Sequence, residues 1–289
     1  MLFLGAGVSA SAKTSTGGKI ADWNGFLAAL CDNVPEPTAG QVKALITAKD
    51  YLLAGEILQS TLAEAWEGKI TEHFGQKATP SNLHKALIAL GQRIILTTNF
   101  DKLLEVAFEQ MDAGDTHYPT VISKMEDNVF RALKDHSRKY IIKIHGTVDD
   151  PSSRVLSRSE YIRLAFGNSY YSGFLENLLL NYTFLFAGFS MDDPAIMSLM
   201  EMYSLRYPKA RPHYIFAPSP IPENIIEINK RLRKLVFIVY DPADNHAALP
   251  GLINEIAAAS DARRREIFAE HKATLPEGAS NAPSGPSSG

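Results

Sequence analysis

The stretch Met1-Leu2-Phe3-Leu4-Gly5-Ala6-Gly7-Val8-Ser9-Ala10 decides how the chain is read. Four apolar residues run straight into Gly-x-Gly, and a run of small residues comes next. That is the pattern of a short buried strand turning tightly into a helix. Glycines at such a turn let a phosphate approach the backbone, and the helix behind them offers N–H groups and a positive dipole end to an anion. A plain strand-to-helix turn needs the same residues, so the loop acquires meaning only from the residues at the ends of the other strands.

Five further runs read as buried strands: Arg93–Thr97, Tyr140–Ile144, Thr183–Ala187, His213–Ala217 and Leu235–Tyr240. Each is rich in β-branched or aromatic residues, and most are soon closed by Gly, Asn or Pro. Helical patterning separates them, which predicts an α/β fold with a Rossmann-like, mostly parallel sheet. Between Trp23 and Gly91 no strand pattern occurs. Helices are expected at Trp23–Leu30, Gly40–Thr47, Tyr51–Trp66 and Leu83–Leu90, too much for one crossover, so residues 23–91 read as a helical module inserted beside the sheet. A further helical segment is expected at Glu160–Asn181. The main domain is placed at 1–256 and a C-terminal helix at 257–275. Residues 276–289 are Pro, Gly, Ser and Ala with almost no apolar content, and are expected to be disordered.

The 289 residues are 45% hydrophobic and 21% charged, ordinary for a globular chain. Lys plus Arg total 29 against 32 Asp plus Glu, a formal charge of −3, which argues against direct nucleic-acid binding. The single cysteine, Cys31, excludes an internal disulfide and a Cys-rich zinc site, and no metal is expected. No apolar run approaches the ~20 residues of a membrane span, and Met1–Leu4 enters the glycine loop without a basic leader segment. The reading is a cytoplasmic protein without a membrane partner.

Ligands of open α/β sheets bind at the carboxyl ends of the strands. There the second strand gives Thr97-Thr98-Asn99-Phe100-Asp101, whose polar residues exceed what a helix cap needs. The third gives Ile144-His145-Gly146, a histidine suited to general-base work near neutral pH and equally compatible with a structural role. The fourth gives Gly188-Phe189-Ser190-Met191-Asp192-Asp193-Pro194, which reads either as a backbone nest with a hydroxyl or as a helix start capped by Asp192 or Asp193. Gly5–Ala10 also fits the dehydrogenase fingerprint. That fold needs a second strand ending in an acidic residue about 20 positions on, and Lys13–Trp23 shows none.

In this order, GAGVS, TTNFD, KIHGTVDDP and GFSMDDPAI resemble the sirtuin-like domain family, in particular its bacterial antiviral NAD-hydrolysing branch. The resemblance covers roughly Met1 to Ile256. It implies NAD as substrate, held by Gly5, Ala6, Gly7, Ser9, Thr97, Gly188, Ser190 and Asp241, with the pyrophosphate on the Gly5–Ser9 loop. It further implies Asn99 positioning water or a ribose hydroxyl, Asp101 accepting from the nicotinamide carboxamide, and His145 as base. Cleavage of the nicotinamide–ribose bond would pass through an oxocarbenium-like state. The family also implies a homo-oligomer and a partner defence protein, a HerA-type ATPase or a short Argonaute. Candidate contact surfaces are the Trp23–Leu90 module and the helices around Asn229–Lys234 and Ala262–Lys272. Protein-deacylase sirtuins carry four zinc-binding cysteines after the His-Gly motif, and Thr147–Thr183 has none. Deacylation, and a non-catalytic sensor of NAD or ADP-ribose, are the alternatives. Both hydrolysis and cyclisation fit the same residues.

Overall fold

The computed structural model describes residues 1–14, 23–111, 118–191 and 193–274. The expected disordered tail and Asp192 as a helix cap lie outside the described residues. The strands are β1 (Leu2–Leu4), β2 (Lys13–Thr14), β3 (Ala78–Thr79), β4 (Ile94–Thr97), β5 (Thr120–Ile122), β6 (Tyr140–Lys143), β7 (Leu185–Ala187), β8 (His213–Pro218) and β9 (Leu235–Tyr240). Among the described residues, seven of them form one sheet in the order β5-β6-β4-β1-β7-β8-β9, and every pairing in it is parallel. The fold is α/β and Rossmann-like, with a helical module at its side.

Burial on both faces explains why these strands read as continuous apolar runs. Alternation within each run then sorts side chains between two cores. Phe3, Leu96, Ile142 and Phe186 meet Phe174, Leu178 and Met200 on one face. Leu2, Leu4, Ile95 and Ala187 meet Leu87, Phe108 and Ile253 on the other. A fully buried Leu or Phe contributes about 1.5–3 kcal/mol, so the central strand β1, with all three residues buried, is a major anchor of the sheet. Strands earlier in the chain lie on one side of β1 and later ones on the other. The carboxyl end of β1 is therefore the switch point where such sheets open a crevice.

The module has its own core, in which Phe26, Leu27, Val42, Ala54, Leu58, Trp66 and Ile70 pack together with Leu103 and Leu156 from the sheet side. The expected Tyr51–Trp66 helix is broken into Tyr51–Leu62 and Ala65–Phe74, and Ala63 between them takes a positive φ of 46°. Helix Asn82–Ala89, assigned to the module from sequence, instead covers the sheet, with Leu83 and Leu87 in the second sheet core. The Glu160–Asn181 segment is two helices, Arg158–Gly167 and Ser169–Asn181. Asn168 separates them because its side chain accepts from the amides of Tyr170 and Tyr171 and so starts a new helix.

The edge strand β5 has no counterpart among the expected strands; Thr120-Val121-Ile122 is too short to show a period. Among the described residues, the stretches Lys13–Trp23 and 23–91, read as strand-free, each supply one two-residue strand, and these pair with each other outside the main sheet. The C-terminal helix is continuous over Ala248–Thr274, its first turns seated on the sheet through Leu249, Ile253 and Ala257. Among the described residues no helix is long and apolar enough to cross a membrane.

Candidate active site

The loops after β1 and β7 touch backbone to backbone. Gly5 N donates to Ala187 O at 3.0 Å and Gly7 N to Gly188 O at 2.9 Å. Gly188 sits at φ +61°, and a Cβ there would lie 2.4 Å from Val8 N; one on Gly5 would lie 2.5 Å from Gly188 O. The glycines thus serve a loop-to-loop contact. The amides of Gly5 and Gly7 are used in that contact.

Beside this contact, four residues from two loops form one hydrogen-bonded set. Asn99 Nδ2 donates to Gly5 O at 2.9 Å and to Ser9 Oγ at 2.8 Å, and Ser9 Oγ donates to Asp101 Oδ2 at 2.5 Å. Asp101 Oδ1 accepts from Leu103 N at 2.9 Å, which sets the start of the next helix. A backbone carbonyl only accepts, so the Asn99 amide must turn its NH₂ toward Gly5. Its two hydrogens are then spent, and the side chain has only its oxygen to offer a ligand. Toward the water or ribose hydroxyl that the resemblance assigns to it, Asn99 can therefore act only as an acceptor.

Beneath this loop lies an ion pair. Lys143, 1% exposed, donates from Nζ to Asp101 O at 2.5 Å and pairs with Glu105 Oε1 at 2.6 Å. His84 is also buried below the loop. Its Nδ1 accepts from Ser81 N at 3.2 Å, and burial pushes its pKa down to about 4 against the opposing pull of Asp101, so it is neutral at pH 7.

The β6 loop brings in His145. Gly146, next in the chain, sits at φ +86°, where a Cβ would strike Ser153 O at 2.2 Å. His145 Nε2 is buried without a well-aligned hydrogen bond and lies 3.3 Å from Asp193 Oδ2. Asp193 Oδ1 accepts from Tyr161 OH at 2.6 Å, Ala195 N at 3.1 Å and Ile196 N at 3.0 Å, capping helix Pro194–Arg206. Burial works to raise the Asp193 carboxyl, but donors from His145, Tyr161 and the helix outweigh it and hold the carboxyl below its ordinary range.

Ala6, Ser9, Asn99, Asp101, His145, Tyr161 and Asp193 all line one cavity, closed on the module side by Trp23, Tyr51, Phe74 and Phe100. The cavity has an interior volume of about 200 Å³, below the roughly 300–1,000 Å³ usual for small-molecule sites. The aromatic wall is stiff, because Phe100 meets Phe74 edge-on at 4.5 Å and Trp23 edge-on at 6.3 Å.

Of the eight residues expected to hold ligand, Ala6 and Ser9 line the cavity, Gly5, Gly7 and Gly188 form the loop-to-loop contact, and the other three are placed elsewhere. Thr97 is fully buried; its hydroxyl donates to Leu4 O at 2.9 Å and accepts from Asn99 N at 3.0 Å, so it supports Asn99 and cannot reach a ligand. Ser190 is exposed on the loop after β7, outside the cavity wall. Asp241 comes after the edge strand β9, three strands from β1 or about 14 Å at the usual strand spacing, and its carboxylate accepts from Ala243 N. Sequence reasoning missed Tyr161, Glu105, His84 and the aromatic wall. Ser157-x-x-Glu160 is a capping-box signature that locates the helix bearing Tyr161, yet nothing local marks Tyr161 itself.

A model of the SIR2-like domain matches residues 93–238. That span carries the Asn99, His145 and Asp193 loops. Among relatives, the chain is 29% identical over 163 residues to the NAD(+) hydrolase ThsA of Enterococcus faecium, covering 55% of this chain and 32% of that protein. It is 27% identical over 216 residues to the protein of the same name from Cytobacillus dafuensis, covering 74% and 40%. With defense-associated sirtuin 2 of Bacillus subtilis it shares 25% identity over 162 residues, covering 55% and 15%. The chain thus spans less than half the length of these curated relatives. A family model matching half of the chain, and containing three of the loops that meet at the cavity, settles the membership: the chain belongs to the SIR2-like domain family.

Proposed function

We propose that this chain hydrolyses NAD at the nicotinamide–ribose bond, giving nicotinamide and ADP-ribose. The observation that carries the reading is the convergence of Asn99, Asp101 and His145 on one cavity beside the glycine loop, in a chain related to proteins named NAD(+) hydrolases. Breaking the bond leaves positive charge at the anomeric carbon, as in glycoside hydrolysis. The Asn99 oxygen, the one acceptor of that side chain, would hold the attacking water by one of its hydrogens. His145 would take the proton that the water releases. The Asp101 carboxylate, already fixed by Ser9 and Leu103, has lone pairs left for the carboxamide NH₂ of the leaving group. The aromatic wall would shield the reacting carbon from bulk water. The resemblance of the chain to a defense-associated sirtuin supports a role in antiphage defence by NAD depletion, with activation through self-association or a partner defence protein.

The test is product analysis by HPLC after incubation with NAD and no acylated peptide, beside Asn99→Ala. Nicotinamide and ADP-ribose in equal amounts from the wild type alone support the reading. Cyclic ADP-ribose would retain the site and change the reaction. Turnover that requires an acylated peptide would replace hydrolysis with deacylation. NAD binding without turnover, when the chain is assayed alone and with its candidate partner, would make it a sensor.

A further inference from the structure

We infer that Asp193, its orientation fixed by Tyr161, holds His145 with the proton on Nε2, so that the nitrogen left to act as base is Nδ1. As a statement about catalysis this rests on the reading above; as a statement about the tautomer it stands on the geometry alone. Asp193 Oδ1 faces three donors: Tyr161 OH, Ala195 N and Ile196 N. The Tyr161 hydroxyl cannot reverse its role, because its oxygen takes the shorter branch of the shared Ala195 N–H, 2.7 Å against 3.1 Å to Oδ1, and its hydrogen must go to the carboxylate. Oδ2 is thereby turned toward His145 Nε2 at 3.3 Å. Nε2 is buried without an aligned hydrogen bond, and among the described residues the carboxylate oxygen beside it is Oδ2. A carboxylate oxygen beside a ring nitrogen favours N–H there over a lone pair, and the lone pair then falls on the other nitrogen. The bonds balance simply. Nδ1 takes a proton from the nucleophilic water, and the resulting imidazolium keeps Nε2–H on the Asp193 carboxylate, whose charge stabilises it. Asp193 and Tyr161 are positioning residues in this scheme.

Asp193→Asn is the decisive variant. Asparagine also caps helices well, and its oxygen must stay on the three donors. Its NH₂ therefore replaces Oδ2, forces Nε2 to accept, and moves the ring proton to Nδ1. Full-length protein labelled with ¹⁵N-histidine, the His145 signals assigned by their loss in His145→Gln, reads the tautomer directly by NMR. The expected result is Nε2–H in the wild type and Nδ1–H in Asp193→Asn, with kcat for NAD reduced about 10²–10⁴-fold and KM nearly unchanged. Tyr161→Phe frees Asp193 to turn, so a mixture of tautomers and an intermediate kcat are expected while the helix stays capped. Nδ1–H in the wild type, an imidazolium carrying both protons at the assay pH, or an unchanged ring in Asp193→Asn would overturn the inference. A tautomer that switches with no loss of kcat would overturn its catalytic half. A wild type that shows Nε2–H but never turns over NAD would sink the hydrolase reading and leave the tautomer assignment standing.

Discussion

The Asn99 amide nitrogen and the Ser9 hydroxyl are 2.8 Å apart, and the same nitrogen reaches the Gly5 carbonyl at 2.9 Å. The β4 loop is thus latched to the glycine loop through a candidate catalytic side chain. One residue cannot be altered without disturbing both loops, which separates the effects of substitutions that otherwise resemble one another.

Asn99→Asp sets a carboxylate oxygen against the Gly5 carbonyl, whereas Asn99→Ala only removes a donor. The aspartate variant is therefore expected to lose more stability, by about 1–3 kcal/mol, although both lose NAD turnover. Urea unfolding of the two proteins provides the comparison. Equal stability would mean that the amide does not face Gly5 O.

Lys143 and Glu105 form a buried pair directly under the same loop. Lys143→Met leaves the Glu105 carboxylate buried and alone, at an expected cost of about 3–5 kcal/mol. Adding Glu105→Leu removes that charge and should restore much of the loss, although the Asp101 carbonyl still lacks its donor. Thermal melts of both variants decide the matter; a double variant no more stable than the single one would refute it.

Gly188→Ala combines a left-handed backbone with a collision against Val8 N at 2.4 Å. About 1–3 kcal/mol is expected for the conformation alone, and more for the clash between the two loops. Gly167→Ala is the control, since a Cβ there meets nothing within 4 Å. The control should melt with the wild type while Gly188→Ala melts well below it.

Stability should also depend on pH through two buried histidines. Burial lowers both His84 and His213 to about 4 in the folded chain, against about 6.5 unfolded. The unfolded chain therefore binds more protons between those values, and stability rises with pH there. It is fully present above about pH 6.5 and is lost as pH falls toward 4, with a slope approaching about 1.4 kcal/mol per pH unit for each histidine. Urea titrations at pH 7, 6 and 5 measure the slope. His213→Gln, whose side-chain oxygen can still accept from Phe184 N as His213 Nδ1 does at 3.0 Å, should roughly halve it; an unchanged slope would contradict the assignment.

Local pattern was enough to place β1, β4, β6, β7, β8 and β9 within one or two residues, because parallel strands buried on both faces leave short continuous apolar runs and helices leave a period of 3.6. It also marked the loops whose polar residues meet at the cavity, since Asn99, Asp101 and His145 come soon after strands. What it does not encode is adjacency. Only the strand order β6-β4-β1-β7 brings Ser9 to Asp101, 92 positions away, and His145 to Asp193. The same order strands Asp241 beyond the far edge. Burial likewise emerges only from packing: Thr97 and Asn99 look alike in sequence, yet one hydroxyl closes on Leu4 inside the sheet and one amide opens on the cavity. Tyr161 has no local signature, because its role depends on the helix Arg158–Gly167 lying against the cap of another helix, a contact between segments more than thirty residues apart.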